Sequence, residues 1–314
     1  MIETISKKKI KYLALFGLLF ASIIWGGAYV AVMSSLDMIP PLYVMAIRFT
    51  IALIGLSVIF YKRIMKMTKR DLLAGLILGI LMFLSYIFQT YGLKYTTASK
   101  NAFLTTSYVI MVPFFNWIIN KKKADSYSIF AAILAILGIG LLSLQGDMTI
   151  NLGDLLTLIC GIFFALHLIY IDRFTVKSDP IILTVLQIGI AGLLSWICAP
   201  IVDGALPVIT DSQAMSELTI SLLYLGIAST MIGFLLQNVG QKYTDPSTAA
   251  LILSLESVFG VLFSVLLLGE VLSVKMANGC ILIFVAIIIS ETKLEFLQGR
   301  RLKKNEDETI TLEE

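Results

Sequence analysis

Apolar residues along this chain fall into ten long blocks separated by short polar segments. Each block holds about 18–23 residues, long enough for a helix to cross the hydrocarbon core of a bilayer. Lipid offers the backbone no hydrogen-bond partner, so each block is predicted to be helical. The pattern therefore predicts an all-α integral membrane protein with ten transmembrane helices. The blocks cover residues 12–34, 42–61, 72–92, 98–119, 127–144, 154–171, 181–202, 218–239, 247–268 and 274–290.

Composition supports a membrane protein and argues against several other classes. The 314 residues are 58% hydrophobic and 14% charged, whereas a soluble domain is about 45–50% apolar and 25% charged. The sequence has no phosphate-binding loop, no H-E-x-x-H motif and a single histidine, so we expect neither a cofactor nor a metal. The net charge of +3 resides in the loops and indicates no nucleic-acid partner. Cys160, Cys198 and Cys280 lie inside apolar blocks and are expected to pack there.

The distribution of positive charge predicts which way the chain sits in the membrane. With the N-terminus inside, 20 Lys and Arg residues fall on the inner side and 3 on the outer side. Positive residues in short loops favour the cytoplasm. We therefore expect a multi-pass protein of the cell membrane with cytoplasmic N- and C-termini. The first block follows four lysines but is too long for the apolar core of a signal peptide, so we expect it to be retained.

The chain contains an internal repeat. Residues 89–102 align without a gap on residues 237–250, and seven of these fourteen positions are identical. Both copies join the third to the fourth block of their half. Five blocks per half is an odd number, so the second half is predicted to cross the membrane in the opposite direction. Inverted repeats of this kind are typical of secondary transporters, in which substrate binds near the midplane between the halves.

These observations predict two inverted five-helix repeats around a central cavity. The first repeat is expected over residues 1–145 and the second over 146–292. Residues 293–314 carry mixed charge and are expected to form a solvated cytoplasmic tail.

Short motifs in both halves resemble the EamA-type carriers of the drug/metabolite transporter superfamily. The resemblance covers residues 10–292 and implies a ten-helix carrier that exports amino acids, related metabolites or drugs. The chain departs from the family pattern at Asn120-Lys121-Lys122-Lys123, where many members have a Gly-Glu pair, and at Glu256-Ser257, where Glu-Pro is common. The second departure implies that a helix distortion is lost. The motifs are Trp25-Gly26-Gly27, Pro40-Pro41, Arg48-Phe49, Gly153-Asp154-Leu155-Leu156, Gln241-Lys242-Tyr243 with Pro246, Leu255-Glu256-Ser257-Val258-Phe259, Gly269-Glu270 and Gly279.

Two charged residues inside the blocks are the first candidates for transport. A charge near the bilayer centre costs about 2.5–3.5 kcal/mol on insertion scales, so it must face protein or water. Arg48 is interpreted either as an anchor for a substrate carboxylate or partner of Glu256, or as a snorkelling residue that ties helix ends together. Glu256 is the one acidic residue deep inside a block and can bind a proton or a cationic substrate. Its alternative role is a structural salt bridge. Glu270, at the membrane edge, is expected to act at a helix end.

Polar and aromatic pairs at helical spacing are the remaining candidates for the substrate site. For each pair, packing or interhelical hydrogen bonding is the alternative interpretation. Pro113, beyond the fourth-block pair, is a candidate kink. The pairs are His167 with Tyr170, Tyr86 with Gln89, Thr105 with Tyr108, and Trp25 with Tyr29; Gln237 is the repeat mate of Gln89.

Together these features predict a secondary transporter that exports a small metabolite, such as an amino acid, by alternating access, with a proton as a candidate coupling ion. The chain is not expected to be an enzyme. Three alternatives stay open: efflux of organic cations, a membrane enzyme acting on lipid-linked substrates, and a membrane sensor that transports nothing. The sequence leaves the substrate and the oligomeric state open.

Overall fold

The computed structural model describes residues 2–121, 126–143, 150–244, 249 and 252–292. The expected tail at 293–314, Lys122 and Lys123, and residues 245–248 of the repeated segment lie outside the described residues. The helices are α1 (Ile2–Leu36), α2 (Pro41–Ile64), α3 (Lys69–Lys94), α4 (Ala98–Thr105), α5 (Tyr108–Asn120), α6 (Ser126–Ser143), α7 (Leu152–Thr175), α8 (Pro180–Val202), α9 (Ser212–Leu223), a π-helix (Tyr224–Ile232), α10 (Gly233–Tyr243), α11 (Glu256–Leu268) and α12 (Val274–Thr292).

Seven helical stretches among the described residues are long and apolar enough to cross a membrane. Two of them join consecutive elements: Ala98–Ile119 combines α4 with α5, and Ser212–Tyr243 runs through α9, the π-helix and α10. Three further apolar helices, Ile129–Leu141, Ile252–Leu268 and Val274–Ile289, are shorter. The predicted all-helical, multi-pass membrane fold is confirmed at this level. Ten membrane-spanning helices in two inverted halves stay a prediction.

The helices form one interconnected bundle, and its most extensive contact joins α6 with α12. α3 lies against α7 and α8, and α2 lies against α8 and the π-helix. α1 contacts α10, the π-helix and α11, while α4 contacts both α7 and α11. Glycines allow the closest approach: a Cβ added to Gly75 would come within 2.4 Å of the Leu186 Cβ, and one added to Gly79 within 2.6 Å of the Ile190 Cβ. The G-x-x-x-G pair on α3 therefore packs against α8, as its spacing predicts.

Two helices are interrupted inside the bundle. Between α4 and α5 the α-helical hydrogen bonding is interrupted at Thr106 and Ser107. The Ser107 amide donates to the Leu104 carbonyl three residues back, as in a 3₁₀ turn. Leu255, just before α11, makes the same kind of bond to Ile252. Side-chain hydroxyls accompany both breaks: Ser107 donates to Leu104 O and Ser257 donates to Ser254 O, each within 2.7 Å.

These breaks bear on two expectations. The interruption precedes Pro113, and α5 continues through that residue, so a kink at Pro113 stays a prediction. The replacement of Glu-Pro by Glu256-Ser257 was expected to remove a helix distortion, yet the distortion at Leu255 is present. Serine and threonine hydroxyls can accept or donate locally to backbone groups and so stabilise such a break without proline.

Polar contacts distinguish the two ends of the bundle. At the first end, Glu270 accepts hydrogen bonds from the Ala98 and Ser99 amides, at 2.8 and 3.2 Å, and so caps α4. The helix-end role expected for Glu270 is thereby confirmed. At this end Lys100 also pairs with the buried Asp154. The second end carries an exposed salt bridge between Arg63, near the end of α2, and Asp179, which caps α8.

Candidate functional site

A cavity lies inside the bundle, between its middle and the first end. Its empty volume is about 610 Å³ with its opening included. It reaches Val32, close to the end of α1, and Leu93, the next-to-last residue of α3. Eight of the eleven candidate residues from the sequence line it. The full lining is Trp25, Ala28, Tyr29, Val32, Arg48, Tyr86, Gln89, Thr90, Leu93, Asn101, Tyr108, Phe164, Leu168, Ser229, Phe234, Gln237 and Glu256.

Arg48 faces the cavity and is held by the π-helix. It is 2% exposed, its Nε donates to Thr230 Oγ1 at 2.9 Å, and its Nη2 donates to Ser229 Oγ at 2.8 Å. The guanidinium carbon also lies 4.8 Å from the centre of the Tyr86 ring, within the range of a cation–π contact. The snorkelling alternative is wrong, because these contacts point the side chain into the protein.

The π-helix explains how Ser229 and Thr230 come to face the arginine. A π-helix shifts the backbone hydrogen bonds by one residue and often marks a functional site. Here Thr230 Oγ1 donates to the Leu225 carbonyl five residues back. The Ser229 carbonyl accepts a hydrogen bond from Trp25 Nε1 at 2.9 Å. Arg48 and Trp25 therefore both contact the same irregular turn.

Glu256 begins α11 and lies in the cavity wall. It is 5% exposed, and the Tyr108 side chain lies beside its carboxyl group. Tyr108 begins α5, so each of these residues directly follows a helix interruption. Both side chains line the cavity, so each helix break lies at the cavity wall.

Arg48 and Glu256 do not form an ion pair. The salt bridges within the described part of the chain join Arg63 with Asp179 and Lys100 with Asp154. Arg48 contacts the π-helix instead, so its pairing with Glu256, one of the interpretations of the sequence, is wrong. The cavity thus presents one guanidinium and one carboxyl group at separate places.

Amide side chains add hydrogen-bonding groups between these two charges. Gln89 Nε2 donates to Thr105 Oγ1 at 3.2 Å and lies 3.5 Å from the Tyr29 hydroxyl. Asn101 Nδ2 donates to Thr157 Oγ1 at 2.7 Å. The oxygens Asn101 Oδ1 and Gln237 Oε1 are buried and have no hydrogen-bond partner among the described residues. Both residues belong to the cavity lining.

Aromatic rings form much of the remaining wall. Tyr86 makes edge contacts with Phe49 and Phe164, whose ring centres lie 5.3 and 5.7 Å away. Trp25 contacts Phe234 at 5.2 Å between ring centres. Such surfaces suit the apolar or cationic part of an amphipathic ligand.

Three candidate residues lie outside the cavity lining. Thr105 is directly behind it, bonded to Gln89. His167 is fully buried and its Nε2 lies 2.8 Å from Gln187 Oε1. Tyr170 packs against Phe174 in a separate cluster. The shared helix face predicted for His167 and Tyr170 therefore brings neither of them to the cavity lining.

Sequence reasoning missed several lining residues. Asn101 belongs to the repeated segment and its depth in an apolar block was a usable signal. Ser229 gave no such signal, because its position depends on the π-helix. Phe164 and Phe234 are ordinary apolar residues in the sequence, and their place in the wall depends on how the helices pack.

Comparisons with known proteins agree with this arrangement. The model of the EamA-like transporter family matches residues 12–144 and again 151–292. An uncharacterized transporter of Archaeoglobus fulgidus is 35% identical over 273 residues, covering 87% of this chain and 84% of its own. The uncharacterized transporter YoaV of Bacillus subtilis is 21% identical over 283 residues, covering 88% and 96%. A solved crystal structure, 17% identical, superposes with a TM-score of 0.66 over 90% of this chain and 98% of that one, which shows the fold alone. With the family model matching both halves, this chain belongs to the EamA-like transporter family.

Proposed function

We propose that this membrane transporter is a secondary carrier that exports a small metabolite, such as an amino acid, by alternating access. Its two halves would be inverted five-helix repeats over residues 1–145 and 146–292. One observation carries the proposal: residues at equivalent positions of the repeat meet at one cavity. Gln89 and Gln237, and likewise Tyr108 and Glu256, are 148 residues apart, and all four line it.

Helix packing supports the inverted repeat. By the offset of the repeat, α3 corresponds to the π-helix together with α10, and α7 corresponds to α1. The contact of α3 with α7 then corresponds to the contact of α10 with α1. Likewise α5 with α7 has its mate in α11 with α1, and α3 with α8 has its mate in the π-helix with α2. Two halves that make the same contacts can exchange conformations, which is how inverted-repeat carriers open to either side.

The groups in the cavity favour a zwitterionic solute. Arg48 has N–H groups beyond those bonded to Ser229 and Thr230, and guanidinium groups bind carboxylates well. Glu256 and the free oxygens of Asn101 and Gln237 are suited to an ammonium group. The aromatic wall is suited to an apolar side chain. A cation without a carboxylate would face the buried charge of Arg48, which weighs against the organic-cation alternative.

Glu256 is also the proposed site of proton coupling. It is the acidic residue of the cavity lining, at the start of an interrupted helix. A proton and the ammonium group of a substrate would compete for this one carboxyl group, so only one of them would bind at a time. Exchange of protons for substrate follows from that competition.

Orientation of the chain rests on the positive charges of the loops. By that rule the second end, with Arg63, would face the cytoplasm, and the first end would face outwards. Both termini would then be cytoplasmic.

Reconstituted flux tests this proposal. Purified protein would be screened against amino acids, nucleosides, vitamins and organic cations for thermal stabilisation, and each hit would be assayed in proteoliposomes with and without a pH gradient. We expect a zwitterion to stabilise the protein and to move faster with the gradient, and we expect Glu256→Gln to abolish the effect of the gradient. Glu217→Gln, at an exposed position on α9, is the matched control. Full proton-driven flux in Glu256→Gln would refute the coupling, and no flux of any hit would refute the carrier.

A further inference from the structure

Unpaired polar atoms are concentrated on one side of the bundle. Among the described residues, nine buried side-chain nitrogen or oxygen atoms have no hydrogen-bond partner. Two of them, on Ser99 and Asn101, lie towards the first end. The other seven belong to α7, α8, α10 and the segments at their second-end termini. Buried polar groups are normally paired, so such a cluster calls for a physical reason.

The cluster lies where α7, α8 and α10 meet. Thr184 and Gln187 share one face of α8. Gln187 Oε1 is bonded to His167 of α7, and Thr184 Oγ1 accepts a hydrogen bond from Asn238 Nδ2 of α10 at 2.6 Å. His167 Nδ1, Gln187 Nε2 and Asn238 Oδ1 are nevertheless left unpaired among the described residues.

These polar groups continue from the cavity towards the second end. Gln237 lines the cavity, Asn238 follows it, and Gln241 lies one helical turn further along α10. Gln241 Oε1 is again buried without a partner in the described part of the chain. α10 ends two residues later, at Tyr243. The unpaired groups therefore bridge the distance between the cavity and the second end.

The internal repeat relates this row to the open side of the cavity. Gln89, Thr90 and Leu93 of α3 line the cavity where it approaches the first end. Their repeat mates, 148 residues later, are Gln237, Asn238 and Gln241. Gln237 lines the cavity as its mate Gln89 does, whereas Asn238, the mate of Thr90, is bonded to Thr184 of α8.

We propose that the facing polar side chains of α7, α8 and α10 form a second solute-contact site. This site is the mouth through which polar solutes and water pass between the cavity and the second end. The mouth is closed in this structure. Side chains that are unpaired when the helices close become paired with water or solute when they separate. An interface with a structural role alone would do better with apolar or fully paired groups. This inference rests on the proposed carrier function, because it requires an aqueous cavity that opens to both sides.

Cysteine accessibility tests the site without knowledge of the substrate. Cys160, Cys198 and Cys280 would first be changed to Ser, and single cysteines placed at Asn238, at Gln241, or at Val239 as the neighbouring control. The probe is a membrane-impermeant methanethiosulfonate with a sulfonate group, applied to vesicles from either side. We expect Asn238→Cys and Gln241→Cys to react from the second-end side at least tenfold faster than Val239→Cys.

Thr90→Cys separates failure of this inference from failure of the proposed function. If Thr90→Cys reacts from the first-end side but Asn238→Cys and Gln241→Cys react no faster than Val239→Cys, the second site is refuted and the cavity stands. If Thr90→Cys is also unreactive from both sides, the aqueous cavity and the carrier proposal fail together.

A second variant guards against a cysteine that merely disturbs packing. Gln187→Leu removes a polar group of the proposed site from the opposite helix while keeping a similar volume. We expect it to slow modification of Gln241→Cys from the second-end side at least fivefold and to leave Thr90→Cys unchanged. If Gln187→Leu leaves the rate of modification of Gln241→Cys unchanged, Gln187 does not belong to the proposed second site.

Discussion

Tyr108 and Glu256 are 148 residues apart, lie side by side, and each begins a helix just after an interruption. Both line the central cavity. The repeat thus places a phenol in one half opposite a carboxyl group in the other. The two half-helices meet through this pair, so a change in the charge of Glu256 would act on the contact between the halves.

Removing the Tyr108 hydroxyl is the first prediction. We expect the Tyr108 hydroxyl to bond to Glu256 during transport. A hydrogen bond to a charged group contributes about 1.5–3 kcal/mol, so Tyr108→Phe should lower proton-driven flux on the order of tenfold. Thermal stability should change little, because the ring that packs against Phe164 is kept. Flux in proteoliposomes with a pH gradient measures the effect.

The exposed Tyr61 offers a matched control, and Tyr61→Phe should keep full flux. If Tyr108→Phe also keeps full flux, the contact with Glu256 is structural and has no part in coupling.

The pair shows what a sequence can and cannot predict. Glu256 was found because a carboxyl group inside an apolar block is costly, and Tyr108 because it shares a helix face with Thr105. Their contact was not predicted, since it depends on breaks at Ser107 and Leu255 that no proline or glycine marks. Periodicity locates helices well, but it does not locate interruptions that are stabilised by local hydroxyl groups.

Arg48 gives a second prediction. Its Nε and Nη2 bond to two different hydroxyls of the π-helix, and a lysine has one ammonium group on a flexible stem. Arg48→Lys should therefore lose at least one charge-assisted bond, which lowers the free energy of unfolding by about 1.5–3 kcal/mol. Thermal unfolding in detergent measures this loss.

A ligand that carries a carboxylate should also bind at least tenfold more weakly to Arg48→Lys, because two-point binding by the guanidinium is lost. Arg63→Lys, in an exposed salt bridge, should change neither quantity by much. Unchanged stability and affinity in Arg48→Lys would show that a point charge suffices at this site.

The histidine shows where residue type misleads. His167 and Tyr170 are three residues apart, and that spacing suggested one functional face. In the structure His167 faces Gln187 while Tyr170 stacks on Phe174. Side chains three residues apart on a helix point in similar but not identical directions, so they can contact different neighbours. Helix packing decides which neighbour each side chain contacts.

Glu270 gives a third prediction, at the first end. Its carboxylate accepts from the first amides of α4, and loss of a helix cap costs about 0.5–2 kcal/mol. Glu270→Ala should lower stability by that amount. Thermal unfolding in detergent measures this loss.

Glu217→Ala is the control for charge removal, since Glu217 is exposed and bonded to a side chain of its own helix. Equal stability of Glu270→Ala and Glu217→Ala would contradict the cap.

Helix termini in the two halves give the last prediction. Lys121 ends α5 and Gly269 ends α11, 148 residues apart, and both adopt the left-handed conformation, with φ of 60° and 67°. A residue with a Cβ pays about 1–2 kcal/mol for that conformation, whereas glycine adopts it readily. Lys121→Gly should therefore raise the free energy of unfolding by about 1 kcal/mol, and Gly269→Ala should lower it by about as much. Lys121→Ala removes the charge but keeps the Cβ, so it should not stabilise the protein. Denaturant titration of the three variants checks the prediction: if Lys121→Ala stabilises as much as Lys121→Gly, the gain comes from removing a charge at the end of α5 and not from relief of the backbone.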